Sequence, residues 1–81
     1  MARRHPLLVQ LGRRIREART RTGLSQEAFA NLLELDRAYV GRIERGEANF
    51  GVLNLFRIAA TLQLEPGRLL PLLKDLSRAE S

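Results

Sequence analysis

Cysteine is absent from this 81-residue chain, and histidine occurs once, at His5. Neither a disulfide scaffold nor a cysteine-ligated zinc site is therefore available, and one imidazole cannot build a metal site alone. There is no thiol nucleophile, and no two carboxylates fall where they would share an obvious pocket, so an enzyme is the least expected class. No apolar run approaches the roughly 20 residues of a membrane span, and the start M-A-R-R-H-P has no apolar signal-peptide stretch. The chain reads as soluble and cytoplasmic, with no membrane partner, no cofactor and no small-molecule ligand expected. Valine, isoleucine and threonine are too sparse for a sheet. What remains is room for one compact domain, residues 1–81, whose small core favours support from a second subunit.

The formal charge is +5, and its distribution is uneven. Residues 1–22 carry a net +6, residues 23–51 a net −2 and residues 52–81 a net +1. A positive field concentrated at one end suits a polyanion, most commonly nucleic acid.

Apolar residues recur at helical spacing along the chain, which predicts an all-α domain of five or six short helices. The first would run from Pro6, suited to the first helical position, to about Thr22, with Gly23 as its left-handed stop. Leu8, Leu11, Ile15, Ala18 and Thr22 share its core face, under a coat of arginines. Ser25 caps a second helix to about Leu33, with Leu24 placed to staple onto Phe29. After Glu34-Leu35, Asp36 caps a third helix that ends near Arg45, before Gly46, and Leu35 is placed to staple onto Val40. A fourth spans about Val52–Leu62, and Pro66 opens a fifth. Pro71 then forces a kink or a fresh start toward about Ser77.

Two helices joined by about three residues, over roughly 25–45, are weak evidence alone. The content of the second is more telling. At 100° per residue, Val40 and Ile43 point one way, while Arg37, Ala38, Gly41, Arg42 and Arg45 point the other. Ala38 and Gly41 would let a backbone come close, since a glycine there costs up to about 1 kcal/mol of helix stability against alanine. Arginine binds guanine O6 and N7 bidentately in the major groove. Tyr39, on the flank, is placed to stack on a base, touch a thymine methyl or donate to phosphate. Base contacts are thus expected from Arg37, Ala38, Tyr39, Gly41 and Arg42. Phosphate contacts are expected from Arg45 and, at longer range, Arg13 and Arg14.

L-G-R-R-I-R-E-A-R-T-R-T-G-L-S-Q-E-A-F-A-N-L-L followed by L-D-R-A-Y-V-G-R-I-E-R-G-E resembles the Cro/CI-type (XRE) helix-turn-helix family of transcription regulators. The likeness covers about residues 7–70 and, within the family, is greatest to the controller proteins of restriction–modification systems. It implies a compact lambda-repressor-like DNA-binding fold and a partner in double-stranded DNA. It also implies an inward ion pair between Arg19 and Glu44 that sets the third helix against the first. Gln26 falls at the family position that contacts phosphate and braces the recognition helix. The loop Glu47-Ala48-Asn49-Phe50 matches a segment whose backbone amides reach phosphate, which adds Asn49 to the expected contacts, although Glu47 would repel DNA.

Three positions depart from the family pattern. Glu34 and Gln63 stand where a residue of positive φ, normally glycine or asparagine, is usual, and Gly51 replaces a serine or threonine cap. In the fourth helix Val52, Leu55, Ala59 and Leu62 read as a core stripe, with Ile58 beside it. Leu53, Phe56 and Ala60 form a second apolar stripe where the family often has polar residues. With Leu72, Leu73 and Leu76, these predict a two-fold homodimer through about residues 52–77. A dimer implies an operator of inverted-repeat half-sites, and its position relative to RNA polymerase, a candidate partner, decides repression or activation. The alternative is the antitoxin of a toxin–antitoxin pair, whose spare apolar surface would serve a different chain.

Overall fold

The computed structural model describes residues 4–70. Among these, four α-helices and one short 3-10 turn account for the regular structure: α1 Pro6–Arg21, α2 Gln26–Leu33, α3 Arg37–Glu44, α4 Val52–Thr61 and the 3-10 turn Pro66–Arg68. The fold is all-α, as expected, with one fewer α-helix than the lower of the two counts. Pro66 does open an element, but that element is three residues of 3-10 geometry. The continuation past Pro71 lies outside the described residues.

Helix ends follow from local chemistry. Pro6 starts α1, and His5 adds a cap, its Nδ1 accepting from the Leu7 N–H at 3.1 Å. Ser25 Oγ accepts from the Ala28 N–H at 3.0 Å at the start of α2. Asp36 holds the N-cap position of α3 without a side-chain hydrogen bond, so its carboxylate makes no cap, contrary to the pattern of Ser25. Gly23 and Gly46, at φ 80° and 75°, end α1 and α3. Thr22, expected on the core face of α1, is exposed because it falls at the helix C-cap, beyond the last turn that packs.

The core gathers Ile15 from α1, Phe29 and Leu33 from α2, Val40 and Ile43 from α3, Ile58 from α4 and Leu69 after the 3-10 turn, all essentially inaccessible to water. Leu24 and Leu35 pack against this cluster from the positions expected of staples. Val52 does not: it is 66% exposed, with Leu53 at 80% and Phe56 at 55%. The helix angle does not decide this, since Val52 lies about 20° from buried Ala59 and about 40° from exposed Phe56; Val52 is the first residue of α4, at the rim of the core. Its side chain is exposed together with those of Leu53 and Phe56.

The turn between α2 and α3 does take the left-handed conformation at Glu34, φ 58° and ψ 39°, and Gln63 does the same after α4 at φ 58°. Such a conformation costs a non-glycine residue roughly 1–2 kcal/mol. Around Glu34 the cost is offset locally: the Leu35 N–H reaches Ala30 O at 2.9 Å, and Arg57 of α4 donates to Leu33 O. Gly51 caps α4 by backbone conformation alone.

Helix α3 sits directly on α1. A Cβ built at Gly12 would stand 2.4 Å from Ile43 O and 2.6 Å from Glu44 O, so only glycine permits this approach. Gly12→Ala is expected to lower stability by about 1–3 kcal/mol, the usual cost of overpacking, read as a fall in the urea midpoint. A Gly67→Ala control, where nothing lies within 4 Å and φ is not positive, should show no such loss.

Candidate nucleic-acid interface

Residue Glu44 leaves the last turn of α3 pointing inward and meets Arg19 of α1. Arg19 Nε donates to Glu44 Oε2 at 2.6 Å and Arg19 Nη2 to Oε1 at 3.0 Å. This bidentate geometry is the strongest form of a carboxylate–guanidinium contact. Each residue makes one further hydrogen bond. Arg19 Nη1 donates to Leu24 O at 2.8 Å, and Gln26 Nε2 donates to Glu44 Oε1 at 3.0 Å. Both charged residues are buried, and no buried side-chain N or O among the described residues lacks a partner. One pair therefore ties α1, the turn before α2, the first residue of α2 and the end of α3.

With Val40, Ile43 and Glu44 turned inward, the other side of α3 faces solvent. There Gln26, Arg37, Ala38, Gly41, Arg42 and Arg45 line one shallow depression. Arg37, Ala38, Arg42 and Arg45 are exposed, and neither Arg37 nor Arg42 has an ion-pair or side-chain hydrogen-bond partner among the described residues. Two side chains and one small residue thus leave guanidinium groups available beside a helix backbone that can be approached closely.

Gly41 lies in the depression, as expected, with the end of the Arg45 side chain over it. It is buried, because Arg45 folds back over it: a Cβ there would lie 3.1 Å from Arg45 Nη1. The missing side chain accommodates an arginine of the same helix in this state. Tyr39 is half-buried and packs on the core, outside the depression. Asn49 is exposed in the loop after α3.

Of the two α1 arginines expected to contact phosphate, Arg13 and Arg14, the second lies away from this face. Gly12 meets α3, and Arg14 lies about 160° around the helix from it. Arg14 donates to Leu70 O at 3.2 Å and, with Arg13, Arg21 and Arg68, lines a second groove against the 3-10 turn. The structure does not bring Arg14 to the recognition depression, and Arg13, about 100° from Gly12, stands between the two surfaces. Three features escaped sequence reasoning: the His5 cap, the Arg57 bond to Leu33 O, and Arg4 Nη2 on Glu47 Oε2 at 2.9 Å. The last two join residues 24 and 43 positions apart, and no local pattern announces such contacts.

Glu47 also accepts from Arg45 Nε at 3.1 Å. The Arg45 hydrogen bond first, then the Arg45 and Arg4 charges, hold the Glu47 carboxyl below its ordinary range. These contacts are fully present above the ordinary carboxylate range and are lost as pH falls through the lowered value.

A helix seated by a buried ion pair, following a tight turn and presenting guanidinium groups around a small-residue centre, defines a helix-turn-helix DNA-binding protein. The comparisons agree: residues 15–69 match the helix-turn-helix model HTH_3, and the chain belongs to that XRE-type family of DNA-binding transcription regulators. It is 40% identical over 55 residues to the control protein C.MunI of a Mycoplasma species, covering 67% of this chain and 74% of that protein. It is 35% identical over 60 residues to the control protein C.BamHI of Bacillus amyloliquefaciens, covering 73% and 74%. The structure of the restriction-modification controller protein C.AhdI from Aeromonas hydrophila superposes with a TM-score of 0.75 at 49% identity, covering 78% of this chain and 96% of that one. The family is one of regulators rather than enzymes, and no described helix is long and apolar enough to cross a membrane.

Removing one partner of a buried pair strands the other charge. Glu44→Ala is expected to cost about 3–5 kcal/mol in chemical denaturation, and the joint replacement Arg19→Met with Glu44→Met should cost much less than the sum of the single changes. Additive losses would show that the two residues act independently.

Proposed function

We propose that this chain is a sequence-specific homodimeric regulator that occupies inverted-repeat operators near a promoter, as the autoregulatory controller of a restriction–modification operon. The observation that carries this reading is the depression lined by Gln26, Arg37, Ala38, Gly41, Arg42 and Arg45 on a helix whose back is fixed by Arg19 and Glu44. Controller proteins among its relatives supply the operon context. In this reading Arg37 and Arg42 contact base edges, Ala38 admits close approach, and Gln26, Arg45 and Asn49 contact phosphate. Arg13 adds a longer-range phosphate contact. Gln26 begins α2, where free N–H groups also favour an anion.

The partner subunit is supported by α4. Val52, Leu53 and Phe56 are exposed on one side of the helix, with Ala60 exposed beside them, a grouping of large apolar side chains that solvent penalises. Leu72, Leu73 and Leu76, expected to join this interface, lie outside the described residues. A two-fold axis through α4 would set two recognition helices about 34 Å apart, one turn of DNA.

Arg37→Ala and Arg42→Ala should each lose affinity by about 1–3 kcal/mol at particular base pairs and relax the preference there. The measurement is fluorescence anisotropy against a duplex selected from a random pool by the wild-type chain, with single base-pair variants. Arg13→Ala should instead weaken all duplexes alike and reduce the slope of log affinity against log salt by about 1. Either arginine of α3 keeping full discrimination would remove it from the recognition face.

Leu53→Glu with Phe56→Glu should convert the dimer to a folded monomer, read by sedimentation velocity and circular dichroism. Unchanged sedimentation would remove the α4 interface. A wild-type monomer that associates only with the product of a neighbouring gene would move the reading to an antitoxin.

A further inference from the structure

Glu47 is an acid on the rim of a surface that reads as anion-binding, and its two partners come from the start of the described chain, Arg4, and from the end of α3, Arg45. Arg45 Nε lies 3.1 Å and Arg4 Nη2 2.9 Å from the same oxygen, Oε2. Both arginine side chains are about half exposed, whereas the Glu47 side chain is only 24% exposed. The arginines are therefore open to solvent and to an incoming polyanion, while the carboxylate that holds them is screened beneath. Arg45 is held in a definite place: its Nη1 lies over Gly41, in the centre of the recognition depression.

We propose that Glu47 is a positioning residue that holds Arg4 and Arg45 beside the recognition helix and competes with DNA phosphate for both. The proposal rests on the DNA-binding reading above. A random duplex offers phosphates but no matched base edges, so it must draw both arginines from Glu47 with little in return. An operator adds the Arg37 and Arg42 contacts and completes the exchange. Glu47 thus subtracts most from binding to a random duplex, whose phosphates alone must displace it, and least from binding to an operator, where the α3 contacts hold phosphate in register with both arginines. It therefore widens the ratio of operator to random affinity. It also places Arg4, a residue before α1, on the DNA-facing side of the domain.

The test uses the full chain at low salt, where charge-driven binding keeps weakened variants measurable. Two duplexes serve: one selected from a random pool by the wild-type chain, and a scrambled version of it. Glu47→Gln should raise affinity for the scrambled duplex and narrow the selected-to-scrambled ratio by about three- to tenfold, with a salt slope steeper by about 1, as one further neutralised phosphate would produce. Glu65→Gln changes the net charge equally and should leave the ratio unchanged. In an Arg4→Ala, Arg45→Ala background the Glu47→Gln effect should vanish, and Glu47→Asp should restore part of the ratio.

Equal shifts in Glu47→Gln and Glu65→Gln would reduce the effect to net charge and overturn the proposal. So would an unchanged ratio in Glu47→Gln, or an undiminished effect without the two arginines. A wild-type chain from which no preferred duplex can be selected would instead overturn the DNA-binding reading itself, and the role of Glu47 with it.

Discussion

The domain is organised around one buried charge pair. Arg19 and Glu44 share two hydrogen bonds, and each makes one more, Arg19 to Leu24 O and Glu44 from the Gln26 amide. A hydrophobic contact tolerates small rotations of a helix about its axis, because dispersion and area burial have no strong direction. A bidentate guanidinium–carboxylate contact does not. Since replacing a buried pair by apolar residues is often neutral or stabilising, the pair is better understood through direction than through net stability. It fixes the rotation of α3, and with it the side from which Arg37 and Arg42 project.

Position along the helix is set by other means. At its start, α3 follows a turn whose tightest residue, Glu34, sits in the left-handed region with Arg57 bonding the carbonyl just before it. At its end, the backbone of Ile43 and Glu44 lies so close to Gly12 that no side chain fits between, and Gly46 is pressed equally hard against Val9. An eight-residue helix is too short to be stable on its own. Held at both ends and along one side, it becomes a rigid platform whose outer surface is free to be specified by a ligand rather than by folding.

Much of this was legible before the structure, and the pattern of successes and failures is physical. Ser25, Gly23 and Gly46 announced helix ends because caps and left-handed stops depend on neighbouring backbone groups, which sequence order fixes directly. The inward side of α3 followed from a 100° step, and the buried pair from the family resemblance. Val52 was misplaced because four stripe residues at helical spacing define a line only loosely near a helix end. Gly41 lines the depression as its place on the helix predicts, but that the end of Arg45 lies over it was not legible. Arg45 in turn bonds Glu47, and Glu47 bonds Arg4, 43 positions away. Contacts between flexible, exposed side chains at such separation leave no period in the sequence.

The two acids near the recognition helix illustrate how burial divides one chemistry into two roles. Glu44 is sealed with its arginine, and the pair presents no net charge to the surface, so it shapes the site without weakening its field. Glu47 stands nearer the rim with arginines that remain half exposed, where water and salt screen the contact and its worth is small. Weakness is what suits such a contact to exchange: a partner of higher charge density can displace the carboxylate, whereas no ligand reaches Arg19. A basic surface built of arginines alone would grip any polyanion. One that keeps an acid underneath to orient the helix, and another at its edge to restrain the outermost arginines, depends more on the contacts that only a matching sequence supplies.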